Sequence, residues 1–362
     1  MFGTLACLFV ASSCLGTEVS VTDPLIGLSP YNWVKTAEYI QTPNPGAYLR
    51  LGFTGTSVSV KFDVSPLAML NVPASQYPLV RYSIDNGPGT TVQLAAATLE
   101  LSCGKSLKKS DHTLLLQYVS GYVFLDFWTP TNVVRITSFM LDTDGTTNPL
   151  RSYGRNSLFL GDSITNGDDN TANFKDGITN AVGTQDATIG YPSVVASATK
   201  SEYGVVAYGG ASWDNTAADG HTPGLMTFYS MIDQGHSRLP QGKLNPIPDD
   251  IYINMGENAG PTTDDVPKLL AALRAATSQQ TNIFMIIPFS GRSRGSLSSG
   301  FTQYRSKNRS DKRIYMLDLG NNAYLSNNGP TLMSVDGQHP LAVLHGHLGA
   351  QLVEARAKVL AD

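Results

Sequence analysis

The sequence predicts a β-sandwich followed by a three-layer α/β domain. Its apolar residues keep a period of two up to about residue 145, then fall into compact runs that alternate with helical patterns. The change of rhythm coincides with residues 142–153, DTDGTTNPLRSY, a polar stretch with Gly and Pro that reads as a linker. Domains are therefore expected over residues 17–148 and 155–362.

In residues 57–64, Val58, Val60, Phe62 and Val64 alternate with Ser57, Ser59, Lys61 and Asp63, as in a half-buried antiparallel strand. Val80, Tyr82 and Ile84 repeat the alternation and run into Asp85-Asn86-Gly87-Pro88, a strong turn signal. Residues 47–53, 91–95, 112–119, 122–127 and 133–141 read as further strands, and no helix is expected in this half.

In the second half, residues 157–160, 205–208, 250–255, 283–287 and 314–317 read as buried strands. Residues 191–199, 223–234, 264–278, 301–309 and 344–360 read as helices. Asp264 and Asp265 supply negative charge at one helix start, and Leu348, Leu352, Ala355 and Val359 line one face of the last helix. Strands alternating with helices imply a parallel sheet covered on both faces.

Hydrophobic residues make up 41% of the chain and charged residues 15%, enough for a sizeable core. The net charge is −4 and no basic run occurs, so a nucleic-acid partner is not expected. Residues 1–16, MFGTLACLFVASSCLG, are apolar and then small, which predicts a secretory signal cleaved near Gly16 and an exported protein. That stretch is shorter than the roughly 20 residues a membrane span needs. Cys7 and Cys14 would leave with it, so the remaining Cys103 forms no internal disulfide and no metal cluster.

The strand at 157–160 runs into Gly161-Asp162-Ser163-Ile164-Thr165. A buried strand ending in a Gly turn puts the next side chain at the carboxyl edge of the sheet, where α/β proteins bind ligands. Ser163 is thus a candidate nucleophile, although the same residues also read as a capped helix start. Its base must come from six histidines. His112 falls in a strand, His221 and His236 are expected to lack an acidic partner at a telling spacing, and His345 and His347 fit a packed helix. His339 follows Asp336 by three residues in a Gly-containing loop, so Asp336 can accept from Nδ1 and leave Nε2 outward. Oxyanion donors are expected from the N–H of Ser163, the loop after residues 205–208 and the side chain of Asn258.

Taken in chain order, these pieces resemble the SGNH (GDSL-like) hydrolase superfamily over residues 155–362. The blocks that carry the resemblance are Gly161 to Thr165, Tyr208-Gly209-Gly210-Ala211-Ser212-Trp213, Gly256-Glu257-Asn258, and Asp336 to His339. The resemblance implies a flavodoxin-like parallel sheet, Ser163 as nucleophile, His339 as base and then acid, and Asp336 as its orienter. It also implies an oxyanion hole of Ser163, Asn258 and the backbone of either Gly210 or Ser212. Ala259 stands where the family usually has Asp, which puts the support of Asn258 in question.

A β-rich half ahead of such a domain resembles the two-domain carbohydrate esterases of family two, which join a jelly-roll to an SGNH domain. This implies a serine esterase removing short acyl groups, acetyl above all, from polysaccharide, with no metal or organic cofactor. The alternatives are a non-catalytic glycan-binding protein on the same fold, an O-acyltransferase and a lipid esterase. Residues 168–189, rich in Asp, Asn, Gly and Thr, are expected either to line the substrate cleft or to form a solvated loop. Arg292 and Arg294 are expected to be exposed.

Overall fold

The computed structural model describes residues 16–69, 72–95, 100–129, 131–171 and 178–361, so the expected signal segment lies outside the described residues except for Gly16. The first half is a sandwich of two antiparallel sheets. One runs β3 (Val34–Lys35), β4 (Ile40–Thr42), β11 (Val134–Leu141), β6 (Val58–Phe62), β9 (Glu100–Gly104), with β1 (Thr17–Ser20) also on β11. The other runs β12 (Thr146–Asn148), β5 (Tyr48–Gly55), β10 (Ser110–Ser120), β7 (Leu79–Ile84), β8 (Thr90–Gln93), with β2 (Gly27–Leu28) on β5. Val58 and Val60 from one sheet meet Leu49, Leu51, Leu114 and Leu116 from the other in a single core. That inward face is the origin of the period-two pattern. Cys103 is a free thiol in this core, and burial pushes its pKa up to about 12.

The second half holds a five-stranded parallel sheet ordered β14 (Ser201–Ala207), β13 (Arg155–Gly161), β17 (Asp250–Asn254), β18 (Asn282–Ile286), β19 (Ile314–Leu317). Counted from its first strand this is the flavodoxin-like 2-1-3-4-5 order. Helices α3 (Tyr191–Thr199) and α9 (Ala342–Ala361) cover one face, packing on Phe159, Tyr252 and Phe284. Helices α5 (Asp265–Ala276) and α6 (Arg294–Lys307) cover the other, over Leu158, Ile251 and Ile283. Single-turn helices α2 (Ser163–Asn166), α4 (Leu225–Phe228), α7 (Ala323–Ser326) and α8 (Gly329–Leu332) occupy connections.

Four local expectations are corrected. Residues 122–127 form no strand: Leu125 N donates to Tyr122 O at 3.0 Å, and the Asp126 carboxylate accepts from Trp128 N at 2.7 Å and Thr129 N at 2.8 Å. Backbone donors used locally cannot join a ladder. The helix expected over 223–234 stops at Phe228, and the chain continues as a hairpin of β15 (Met231–Asp233) and β16 (His236–Ser237). There the buried Arg238 guanidinium donates to the carbonyls of Tyr229 at 3.2 Å and Met231 at 2.6 Å, satisfying groups a longer helix would have used. Part of the expected linker, Thr146–Asn148, extends the sandwich by pairing with β5. A short helix, α1 (Ser65–Met69), interrupts the otherwise β-rich half, started by Asp63 Oδ1 accepting from Ser65 N at 2.9 Å.

The two halves share an edge. Strand β14 ends the parallel sheet, and its free backbone groups are met by side chains from the sandwich. Asn32 Nδ2 donates to Val205 O at 2.8 Å, and Tyr203 N donates to Tyr48 Oη at 3.2 Å. Tyr48 in turn donates to Glu202 at 2.6 Å, Arg50 pairs with the same carboxylate, and Arg81 pairs with Asp186 at 2.6 Å.

Candidate active site

Ser163 owes its place to two neighbours. A Cβ on Gly161 would lie 1.9 Å from Thr165 Oγ1, so only glycine lets α2 fold back this tightly on the end of β13. Asp162 then caps α2, its Oδ1 accepting from Ile164 N at 3.1 Å and its Oδ2 from Glu257 N at 3.4 Å. The second bond ties the serine turn to the loop after β17. Burial, with the Glu257 charge nearby, pushes the Asp162 carboxyl up to about 7. As first residue of α2, Ser163 has an N–H with no acceptor inside the helix.

A cavity of about 170 Å³ is lined by Ser163, Gly210, Asn258 and His339, together with Val123, Phe124, Asp168 and Asn180. Gly210, in the turn after β14, has φ +71°. Asn258 Nδ2 donates to Ala211 O at 2.9 Å, so a backbone carbonyl holds this amide despite Ala259 beside it. Its second N–H is left for another acceptor. Ser212 is not in the lining: its Oγ accepts from Asn215 N at 3.0 Å and its carbonyl from Leu225 N at 2.9 Å.

His339 is 6% exposed, and its Nδ1 lies 2.5 Å from Asp336 Oδ2. Asp336 Oδ1 accepts from Gln338 N at 2.9 Å, His339 N at 3.1 Å and the Ser334 hydroxyl. Burial disfavours the Asp336 anion, yet these hydrogen bonds hold its pKa well below the usual carboxylate range. Burial also disfavours the His339 cation, but the Asp336 hydrogen bond and the charges of Asp168, Asp336 and Asp169 outweigh it, so its pKa lies above 6.5. His339 Nε2 is buried with no partner among the described residues, so Ser163 and His339 share the cavity without a direct hydrogen bond.

From the segment 168–189, expected either to line the cleft or to form a solvated loop, Asp168 and Asn180 line the cavity, and burial pushes the Asp168 carboxyl up to about 7. Asp169 Oδ2 lies 3.8 Å from His339 Nδ1, while its Oδ1 fastens the following loop by accepting from Asn180 N at 2.7 Å and Thr184 Oγ1 at 2.6 Å. Val123 and Phe124 reach the cavity from the sandwich half; a turn in place of the expected strand was the missing signal. His236 does have an acidic partner: its Nδ1 is 2.7 Å from Asp233 Oδ1, at the same three-residue spacing as Asp336 and His339. His221 Nδ1 lies 3.5 Å from Asp126. His345 is fully buried in α9, accepting from Tyr191 N at 3.3 Å. Arg292 donates to Glu257 O at 2.9 Å, and Arg294 pairs with Asp318, so both are engaged with partners on the protein.

Neither a protein-family model nor a curated protein matches the sequence. Solved structures do. A family two carbohydrate esterase from Cellvibrio japonicus superposes with a TM-score of 0.76 at 17% identity, over 95% of this chain and 98% of that one. An acetyl xylan esterase from the rumen bacterium Butyrivibrio proteoclasticus gives 0.71 at 16% identity, over 96% and 99%. A family two carbohydrate esterase from Clostridium thermocellum, in complex with cellohexaose, gives 0.71 at 17% identity, over 93% and 99%. The chain has the two-domain fold of these carbohydrate esterases. Within this carbohydrate esterase fold, the cavity collects residues that follow β13, β14 and β17, the carboxyl ends of neighbouring parallel strands. Among the described residues no helix is long and apolar enough to cross a membrane.

Proposed function

We propose that this protein is a serine esterase that removes short acyl groups, acetyl above all, from the hydroxyls of a carbohydrate. The carrying observation is the single cavity lined by Ser163, His339, Gly210 and Asn258, behind which Asp336 fixes the imidazole. Its volume of about 170 Å³ suits a small acyl group.

In this reading Ser163 Oγ attacks the ester carbonyl while His339 Nε2 takes the hydroxyl proton. The oxygen that becomes negative is received by the N–H groups of Ser163 and Gly210 and by the Asn258 amide, donors already oriented before charge develops. Collapse of the tetrahedral intermediate breaks the bond to the alcohol, which leaves with the proton from His339. Water, deprotonated by the same imidazole, attacks the acyl-serine; the carboxylic acid departs and Ser163 recovers its proton. Asp336 stays ionised throughout, holding the ring and balancing the imidazolium. The likeness to an acetyl xylan esterase and to a cellohexaose-bound esterase supports a carbohydrate as the alcohol.

The test is acetate release from acetylated xylan and mannan, run beside aryl esters of increasing acyl length. Turnover is expected to be greatest for acetyl and to vanish in Ser163→Ala. Unchanged turnover in that variant, or none by the wild-type protein on any ester, would refute the reading.

A further inference from the structure

Asp168 stands outside the proposed Ser163, His339 and Asp336 chemistry, yet it shares their cavity and is only 1% exposed. Asn166 Nδ2 donates to its Oδ1 at 2.6 Å, which fixes the carboxyl plane from one side. The other oxygen, Oδ2, is buried and has no hydrogen-bond partner among the described residues. The backbone makes room for it: a Cβ on Gly209 would lie 2.5 Å from Oδ2. A buried acceptor left without a donor is costly to the fold, and its persistence at a cavity wall points to a donor that arrives from outside.

The donor's character follows from the surroundings. His339 faces the charges of Asp168, Asp169 and Asp336, so a further anion beside the ester would be repelled. Above about pH 7, where Asp168 is ionised despite its burial, a neutral hydroxyl can donate to the carboxylate without adding charge.

Resting on the esterase reading above, we propose that Asp168 Oδ2 accepts a hydrogen bond from a free hydroxyl next to the acylated oxygen. The site would then select partly acylated polyols over esters whose alcohol carries no second hydroxyl. Asp168 is on this account a specificity residue, acting on the alcohol half of the ester.

The test compares kcat/KM for trans-1,2-cyclohexanediol monoacetate with that for the same acetate whose neighbouring hydroxyl is methylated. The wild-type protein is expected to prefer the free hydroxyl by about tenfold or more, the usual worth of a hydrogen bond to a charged group. Asp168→Asn keeps an acceptor for Asn166 but places an amide N–H₂ where Oδ2 stood, and its ratio is expected to fall close to one. A wild-type ratio near one overturns the inference, whether or not the variant folds. So does a variant that keeps the wild-type ratio, whatever its absolute rates. Failure of the wild-type protein on phenyl acetate as well as both diol esters would instead strike at the esterase reading, and the inference would go with it.

Discussion

The imidazole of His339 stands 2.5 Å from the Asp336 carboxylate, whose other oxygen is engaged by three more donors, so the ring has one favoured orientation and one nitrogen to spare. A carboxylate pinned on both oxygens does more than set geometry. It also raises the pH at which the imidazole gives up its proton.

In the proposed mechanism ester turnover needs neutral His339, and that histidine's pKa is raised above 6.5. Activity is therefore expected to fall as pH drops through a midpoint above 6.5. In Asp336→Asn the main raising contact is lost, so the midpoint should move down and kcat/KM should fall by about a hundredfold or more. A pH profile of kcat/KM for both proteins checks this; a variant midpoint equal to or above the wild-type one contradicts it.

Asn258 is exposed and, among the described residues, its side chain hydrogen-bonds only to Ala211 O, so its removal should matter to the proposed reaction more than to the fold. For Asn258→Ala we expect kcat to fall about 10²–10³-fold with KM little changed, the signature of a donor used mainly in the transition state. Steady-state kinetics beside a melting curve separate the two effects.

Gly209 lies under the sandwich loop, where an added Cβ would come 2.1 Å from Val123 Cγ2 and 2.5 Å from Asp168 Oδ2. Gly209→Ala should cost about 1–3 kcal/mol of stability through overpacking. Combining it with Val123→Ala, which removes the nearest atom, should recover part of that loss. Denaturant unfolding of the four proteins in the cycle reports the coupling, and strict additivity would show that the two residues do not press on each other.

Asn32 closes the edge of the parallel sheet by donating to Val205 O at 2.8 Å, and both groups are buried. Asn32→Ala leaves that carbonyl unmet and should destabilise the protein by about 1–3 kcal/mol. Denaturant unfolding would show a lower midpoint; an unchanged one would mean that the Asn32 hydrogen bond contributes nothing to holding β14.

Much of the fold was legible because its signals are local. The alternation around Val58 and Val60 reports one buried face, and the run through Leu158 and Leu160 reports two, so the elements on either side of the linker could be told apart. Legibility failed where a distant side chain intervenes. Arg238 takes up carbonyls beyond Phe228 and ends a helix that the intervening apolar residues would have continued. Val123 and Phe124 have strand-like apolar side chains, but Asp126 binds the backbone beside them and holds a turn.

The sequence by itself determined which residues could serve: a serine after a buried strand, a histidine three residues beyond an aspartate, an asparagine in a glycine turn. Sequence reading set His236 aside as lacking an acidic partner, yet Asp233 holds it at 2.7 Å, at the same three-residue spacing as Asp336 and His339. Only the tertiary structure separated them, because the cavity wall that holds Ser163 also holds His339. Spacing along the chain governs contacts within a turn, whereas meeting across more than a hundred residues depends on how strands are ordered in the sheet and which loops their ends bring together.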